Sequence, residues 1–585
     1  LTIEVTAQLK TILAADNLCY TYSGQDKPAL RDINIEIEKG DFVIIAGPTG
    51  CGKSTLALCL TGLIPQVLGG KMLGKVIVDD KDTRDYEVFQ LAQSVGLVFQ
   101  NAENQLCSLS VEDEAAFGPE NLGLSRKEIE KRVNFALGST SLADLKQRYT
   151  FSLSGGQKHK TVIAGTLSML PKVLVLDEPF SELDPLGCRE VLETLKGLNE
   201  KQQITIILIE HKLEQALGFA RNVILLKEGE IVAHGKPSEV FKDSTIEKRL
   251  GLRVPVTLKF SYELIKKGWL AKPALSIDEL KSSLPKIRSL HLYHENNPNP
   301  VPRKKNKFAS ENPKKALIRT ERLCYSYSDG TVALRDIDFE VFPGDFLAIL
   351  GGNGAGKTTL AYQISGQLKP TKGKVYIDGK DSKKSHIADL AGTVGYTFQN
   401  PDCQLFCKTV KDELAFGPKQ LGLTQEKVDS RVADILRLMH AEQLQDRDPH
   451  TLSRGQKIGI AIASVLTMRP KVLILDEPTL GQDFARIKSL ATILRSMNQE
   501  GLAVVVITHD INVAAEYACR VILMDQGKII ADGDPHSILS DENLLISANL
   551  EVPTSVNLSK LMGLPPTTVL SEINKALWGS EEARK

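Results

Sequence analysis

Residues 42–55 read FVIIAGPTGCGKST, and residues 346–359 read FLAILGGNGAGKTT. Each begins as a short apolar run, Phe42 to Ala46 or Phe346 to Leu350, that reads as a buried strand. It passes straight into GxxxxGK[ST] and continues as a helix-like stretch. Gly47, Gly50 and Gly52, and their counterparts Gly351, Gly354 and Gly356, let the backbone curl until successive N–H groups converge on a phosphate. The positive end of the following helix adds to that attraction. The spacing predicts that Lys53 and Lys357 reach the β and γ phosphates of a nucleotide and that Ser54 and Thr358 offer hydroxyls to Mg2+. Thr55 and Thr359 complete the two loops. One such match can arise in any glycine-rich turn; two in register leave that reading little room.

Further along each half, a second apolar run ends in acid. Val173 to Leu176 precedes Asp177 and Glu178, and Val472 to Leu475 precedes Asp476 and Glu477. Four apolar residues before Asp-Glu-Pro read as a buried parallel strand whose carboxyl end reaches a ligand crevice. Asp177 and Asp476 are placed there to hold Mg2+, and Glu178 and Glu477 to polarise an attacking water as general bases. A strand-end acid can also simply cap the next helix. Two more strands, Ile204 to Ile209 and Ala503 to Ile507, end near His211 and His509. Their fixed place after the acid strand makes these histidines candidate catalytic residues.

The offsets between matching residues are almost constant. Lys53 to Lys357 is a shift of 304, whereas Gln100 to Gln399, Ser154 to Ser453 and Glu178 to Glu477 are each 299, which places one insertion near Pro65 to Gly70. A period this long is a duplicated domain; solenoid repeats run roughly 20 to 50 residues. The expected organisation is a first domain over 12–252 with a small appendage over 253–294, a linker over 295–315, a second domain over 316–545 and its appendage over 546–585. The linker is rich in Asn, Pro and Lys, and its RKKNK run, Arg303 to Lys307, reads as a solvated tether. The appendages, Val254 to Leu284 and Val552 to Leu577, look helical.

The 72 Lys and Arg residues cancel the 72 Asp and Glu. With 25% charged and 42% hydrophobic residues, that balance disfavours both disorder and bulk polyanion binding. No apolar run approaches the roughly 18 residues of a membrane span. Leu1 to Lys10 lacks the basic start and apolar core of a secretory signal. Nine scattered cysteines show no paired framework, so a reducing, cytoplasmic compartment is expected, with Cys403 and Cys407 as packed free thiols. Cys403 and Cys407 look like half a metal site that nothing nearby completes.

LSGGQ, Leu153 to Gln157, and LSRGQ, Leu452 to Gln456, each precede an acid strand. With the elements above they make residues 12–250 and 316–545 resemble the nucleotide-binding domain of ATP-binding-cassette (ABC) proteins. The resemblance implies an α/β fold: two P-loop ABC domains in one chain, each with a RecA-like parallel-sheet core, an antiparallel β subdomain and a helical subdomain. It implies an ATPase that uses ATP and Mg2+. Tyr22 and Tyr327 match the aromatic that stacks on adenine. Gln100 and Gln399 match the glutamine that stands near Mg2+ and couples the site to a partner, and Asp184 and Asp483 match the acid of the D-loop. The signature residues Ser154, Gly155, Gly156 and Gln157, and Ser453, Arg454, Gly455 and Gln456, are implied to close on nucleotide held by the opposite domain. Two ATP would thus be sandwiched head to tail. Lys53 and Glu178 would share a site with Ser453, Arg454 and Gly455, and Lys357 and Glu477 one with Ser154, Gly155 and Gly156. Arg454 breaks a glycine pair, so unequal turnover of the two sites is expected.

After Gln100 stands VEDEAAFGPENLGL, Val111 to Leu124, and after Gln399 stands VKDELAFGPKQLGL, Val410 to Leu423. Both resemble the ATPases of energy-coupling-factor (ECF) importers, which take up vitamins and transition-metal ions, and of related cation and thiamine-precursor systems. NPDCQLF, Asn400 to Phe406, fits that pattern; NAENQLC, Asn101 to Cys107, departs from it at Ala102 and Cys107. The resemblance implies an energy-coupling subunit at the cytoplasmic face of the cell membrane. Its partners would be a transmembrane coupling subunit and a substrate-binding membrane subunit, with the acidic-apolar segments as docking surface. The next stretch, SRKEIEKRVNFAL, reads as a packing helix opened by a capping box of Ser125 and Glu128, with Ile129, Val133 and Leu137 inward. A soluble tandem ABC protein acting on ribosomes or nucleic acid is the alternative, but 295–315 is too short and proline-broken for the long charged helical arm such proteins carry. A slow ATP clamp is the third class, against which both Glu178 and Glu477 argue.

Overall fold

The computed structural model describes residues 10–181, 183–211, 213–243, 245–284, 315–480 and 482–578. The expected linker, apart from Lys315, lies outside the described residues together with its RKKNK run. The chain divides into two compact units, Leu1–Ser283 and Leu284–Lys585.

In the first unit the strand Phe42–Ala46 sits inside a six-stranded sheet ordered Glu230–Gly235, Asn222–Lys227, Phe42–Ala46, Thr205–Ile209, Val173–Asp177, Val95–Val98. All neighbours run parallel except the hairpin at the Glu230–Gly235 edge. The second unit repeats the order with Lys528–Gly533, Arg520–Asp525, Phe346–Leu350, Ala503–Ile507, Val472–Asp476 and Val394–Thr397. These central strands read as unbroken Val, Ile and Leu because both faces of the sheet are covered. Alternate residues feed different cores: Val43 and Ile45 pack with Leu13, Ile33 and Val175, while Phe42 and Ile44 pack with Val162, Leu174 and Leu195. Each fully buried Val, Ile or Leu contributes about 1.5–3 kcal/mol.

The first of those cores lies under a four-stranded antiparallel sheet, Leu30–Glu38, Thr11–Thr21, Lys71–Val78, Lys81–Asp82, mirrored by Val332–Val341, Ile318–Ser326, Lys372–Ile377 and Lys380–Asp381. The first copy's insertion forms the short helix Leu63–Gln66 and a longer following strand, and the Tyr20 hydroxyl donates to the Gly69 carbonyl at 2.8 Å. The helical part comprises Val111–Asn121, Arg126–Ser139 and Gly155–Leu167, matched by Val410–Gln420, Gln425–Leu438 and Arg454–Leu466. Val133 and Leu137 are buried, with Ile129 packed against them. Only half of the expected capping box forms: Ser125 accepts from the Glu128 N–H, but the Glu128 carboxylate turns away to Arg132 at 3.0 Å.

The first appendage folds as Val256–Lys266 and Ile277–Ser283, the second as Thr554–Leu561 and Leu570–Trp578. Leu252, Val254 and Leu258 join the main core of the first unit, and Glu214 accepts the Val256 N–H at 2.7 Å, so this appendage is packed on its domain. All nine cysteines are free. The expectation of packed thiols fails at Cys403, which is exposed, and Cys407 is half-buried. Cys403 ends the short turn Pro401–Cys403, of which Pro401 is the buried residue. Among the described residues no His, Cys, Asp and Glu cluster suited to a metal is found, and no helix is long and apolar enough to cross a membrane.

Candidate active sites

Parallel pairing brings the carboxyl ends of three strands together in each unit: the one entering the glycine loop, the one ending in acid, and between them the one ending beside the histidine. Gly52 and Gly356 open the helices Lys53–Leu60 and Lys357–Ile364 with φ of 106° and 96°. A Cβ there would stand 2.7 Å from the Ala29 carbonyl oxygen or 2.6 Å from that of Ala333, so only glycine fits the turn. Lys53 Nζ is buried and donates to the carbonyls of Gly47 and Pro48 at 3.0 and 3.1 Å; Lys357 Nζ donates to those of Gly351 and Gly352 at 2.8 and 2.9 Å. Both ammonium groups are thus held inside a curl of backbone sized for phosphate.

Asp177 and Asp476 are the last residues of their strands and are buried. Burial pushes both carboxyls up to about 6; the Ser54 hydroxyl beside Asp177 opposes the rise, as do the Tyr396 phenol and the Thr358 hydroxyl beside Asp476. Oδ1 of each is buried with no hydrogen-bond partner. A hydroxyl and a carboxylate with an open lone pair form the all-oxygen donor set that suits Mg2+.

Glu178 and Glu477 both adopt left-handed backbone, φ 48°, each donating its N–H to the carbonyl at the end of the neighbouring strand, Ile209 or Ile507, at 2.9 Å. Such strain in a non-glycine residue persists where surrounding structure imposes it, commonly at functional sites. Gln100 Nε2 donates to Glu178 Oε2 at 3.1 Å, His211 Nε2 lies 2.5 Å from Oε1, and Lys53 Nζ is 3.8 Å away. In the second unit His509 meets Glu477 Oε1 at 3.0 Å through Nδ1 rather than Nε2, and Gln399 is exposed. The structure therefore assembles Lys53, Ser54, Gln100, Asp177, Glu178 and His211 in one place, and Lys357, Thr358, Asp476, Glu477 and His509 in another. Gln399 does not join the second group.

Tyr22 and Tyr327 place their hydroxyls 2.9 Å from the Thr55 and Thr359 hydroxyls, which sets each aromatic ring at the edge of a glycine loop. Ser154 and Ser453 cap the signature helices in full capping boxes with Gln157 and Gln456, leaving Gly155 and Gly156, or Arg454 and Gly455, in the first turn. Asp184 and Asp483 are helix caps too, accepting the N–H groups of Gly187 and Arg486 at 2.9 Å. A Cβ on Gly156 would lie 3.2 Å from Gly187 Cα, so signature and D-loop helices touch closely; on Gly455 it would meet the Arg486 guanidinium.

Four neighbours escaped the sequence reading. Tyr396 donates to Asp476 Oδ2 at 2.8 Å and packs on Tyr362. Glu210, fully buried, precedes His211, where the second copy has Thr508. Arg486 stands where the first copy has Gly187. Setting the copies against each other, at offsets of 304 and 299 and at 298 from the histidine strand onward, exposes every one of these differences: Tyr396 against Leu97, Tyr362 against Leu58, Thr508 against Glu210 and Arg486 against Gly187.

A family model described as ABC transporter matches residues 30–181 and 334–480, each match spanning one glycine loop and one acid strand. The chain belongs to the ABC transporter family. A Methanosarcina mazei protein provisionally named an ABC transporter ATP-binding protein is 41% identical over 550 residues, 93% of this chain and 92% of that one. A similarly named Caldanaerobacter subterraneus protein is 39% identical over 560 residues, 96% of this chain and 97% of its own. The solved structure of CbiO1 from Clostridium perfringens, part of the ABC transporter complex CbiONQ, is 37% identical, covers 43% of this chain and all of its own, and has a TM-score of 0.38. This ABC protein is accordingly a tandem ATPase that uses ATP with Mg2+.

Proposed function

We propose that this ABC ATPase is the energy-coupling subunit of an ECF-type importer for a vitamin or transition-metal cation, working at the cytoplasmic face of the cell membrane with a transmembrane coupling subunit and a substrate-binding membrane subunit. One observation carries the reading: both copies spend a buried carboxylate on fixing the loop that follows the coupling glutamine. Glu114 accepts the N–H groups of Cys107 and Ser108 at 3.0 and 2.8 Å, and Glu413 those of Phe406 and Cys407 at 2.9 and 2.8 Å. The helices that supply them, Val111–Asn121 and Val410–Gln420, turn Phe117 and Phe416 outward, 51% and 42% exposed. Phe406, 60% exposed, meets Phe416 edge-on at 4.8 Å. Fixed, exposed aromatic rings of this kind suit an apolar partner segment. The first copy has Cys107 where Phe406 stands, so its grip is the weaker.

In the chemistry, Lys53 and Lys357 exchange loop carbonyls for phosphate oxygens, and Tyr22 and Tyr327 stack on adenine. Ser54 and Asp177, or Thr358 and Asp476, would hold Mg2+, which would supply charge neutralisation on the phosphates. Glu178 and Glu477 take the proton of the water that attacks the γ-phosphorus while ADP leaves. His211 and His509 hold those carboxylates in place. The signature residues and D-loop acids of the opposite domain complete each site, so that ATP joins the two domains and hydrolysis loosens them.

Purification of the tagged chain from its native membrane in mild detergent tests the coupling role. A polytopic membrane protein should co-purify, and Phe406→Asp with Phe416→Asp should release it while leaving ATPase activity intact. Sedimentation with ribosomes, and no membrane partner, would overturn the proposal in favour of the soluble reading.

A further inference from the structure

Within the acid pairs the two halves differ at one contact. Asp476 shares its carboxylate between the Thr358 side and a neighbouring strand: Tyr396, on Val394–Thr397, pairs in register with Ile474 and donates its hydroxyl to Asp476 Oδ2 at 2.8 Å. The Tyr396 ring packs tilted against Tyr362 at 5.4 Å and perpendicular to Phe398 at 5.1 Å between centroids. Packing against both rings restrains the phenol where it meets the carboxylate. Asp476 Oδ1 is left buried and without a hydrogen-bond partner. In the first half Leu97 occupies the equivalent register opposite Val175, and Leu58 replaces Tyr362. Asp177 therefore has the Ser54 hydroxyl beside it and no phenol behind it.

We propose that Tyr396 is a positioning residue for the divalent cation of the second site. By occupying Oδ2 it fixes rotation of the Asp476 carboxylate and commits Oδ1 to the cation, whereas Asp177 must be ordered when the cation arrives. Groups that hydrogen-bond a metal ligand from behind typically change metal affinity by about 10–100-fold. The orientation comes from packing within the chain itself. The second site thus fills with cation and nucleotide at lower Mg2+ than the first.

The test uses the full chain with Lys53→Ala, which leaves nucleotide only at the second site, and Mn2+ as probe, followed by electron paramagnetic resonance in the presence of a non-hydrolysable ATP analogue. Tyr396→Phe should raise the Mn2+ concentration for half-saturation about tenfold. Tyr396→Leu, which installs the residue of the first half, should do the same. Analogue binding in EDTA, read by fluorescence, should be unchanged in both variants. With Lys357→Ala instead, the first site should bind Mn2+ about as weakly as the Tyr396→Phe second site. Unchanged Mn2+ half-saturation overturns the proposal, and so does an equal loss of nucleotide binding in EDTA, which would mark Tyr396 as packing alone.

Discussion

Both halves hold a buried lysine against loop carbonyls and set a glutamate on left-handed backbone, yet the groups around those residues have diverged. Around the first glutamate, Gln100, Lys53 and His211 all converge on Glu178. Around the second, His509 approaches Glu477 through its other ring nitrogen, Gln399 stays in solvent, and Asp476 gains a phenol that Asp177 lacks. Signature turns differ in the same way, Gly155 and Gly187 in one copy against Arg454 and Arg486 in the other. Duplication has kept the groups proposed to touch nucleotide and varied those around them. Two sites with one chemistry and different readiness are what we propose follows.

The largest expected effect is on turnover. Replacing both Glu178 and Glu477 by Gln should lower ATPase activity by about 10²–10⁴-fold. The single variants sharpen the comparison: Glu477→Gln should cost more than Glu178→Gln, because the Glu477 site is the one proposed to close on the intact glycine pair Gly155 and Gly156. Equal losses in steady-state assays would break it.

Next is a pH effect on the nucleotide-free protein. Asp177 and Asp476 ionise near 6 in the folded chain against 3.8 for the unperturbed group. The folded state therefore binds more protons between those values. Their contribution is fully present below about pH 4 and is lost as pH rises through 6, by at most about 3 kcal/mol each. Denaturant titrations should show Asp177→Asn and Asp476→Asn gaining stability over the parent at pH 7.5 but not at pH 4. A gain of equal size at both would mean that charge burial is not the cause.

A smaller change is expected at the adenine end. Stacking on an aromatic ring is worth about 0.5–1.5 kcal/mol, so Tyr22→Ala and Tyr327→Ala should each weaken ATP binding at their own site by roughly 3–10-fold. Binding measured in Lys357→Ala and Lys53→Ala backgrounds separates the two. The smallest effect is at the signature. Arg454→Gly should raise the residual activity of Glu477→Gln by about 2–5-fold, by restoring the backbone freedom and open first turn of the other copy; no change would remove Arg454 from the explanation of unequal sites.

The glycine loops, acid strands and histidines were legible because their signals are local: a few residues in fixed order dictate a strand, a turn and a helix start. The parallel sheet followed, since strands buried on both faces read as unbroken Val, Ile and Leu. Contacts set by pairing across the sheet were not legible in one copy alone. Tyr396 reaches Asp476 only because Val394–Thr397 lies beside Val472–Asp476. Glu128 matched a capping box yet chose Arg132 four residues on, an equally local competitor. Cys403 looked like a packed thiol because residue type says little about burial on a surface turn.

The proposal that ATP joins the two domains of one chain is tested most directly by small-angle scattering on the monomeric Glu178→Gln, Glu477→Gln double variant. With Mg2+ and ATP its radius of gyration should contract relative to the nucleotide-free chain, and with ADP it should not. A chain that keeps the same dimensions with saturating ATP contradicts the proposal.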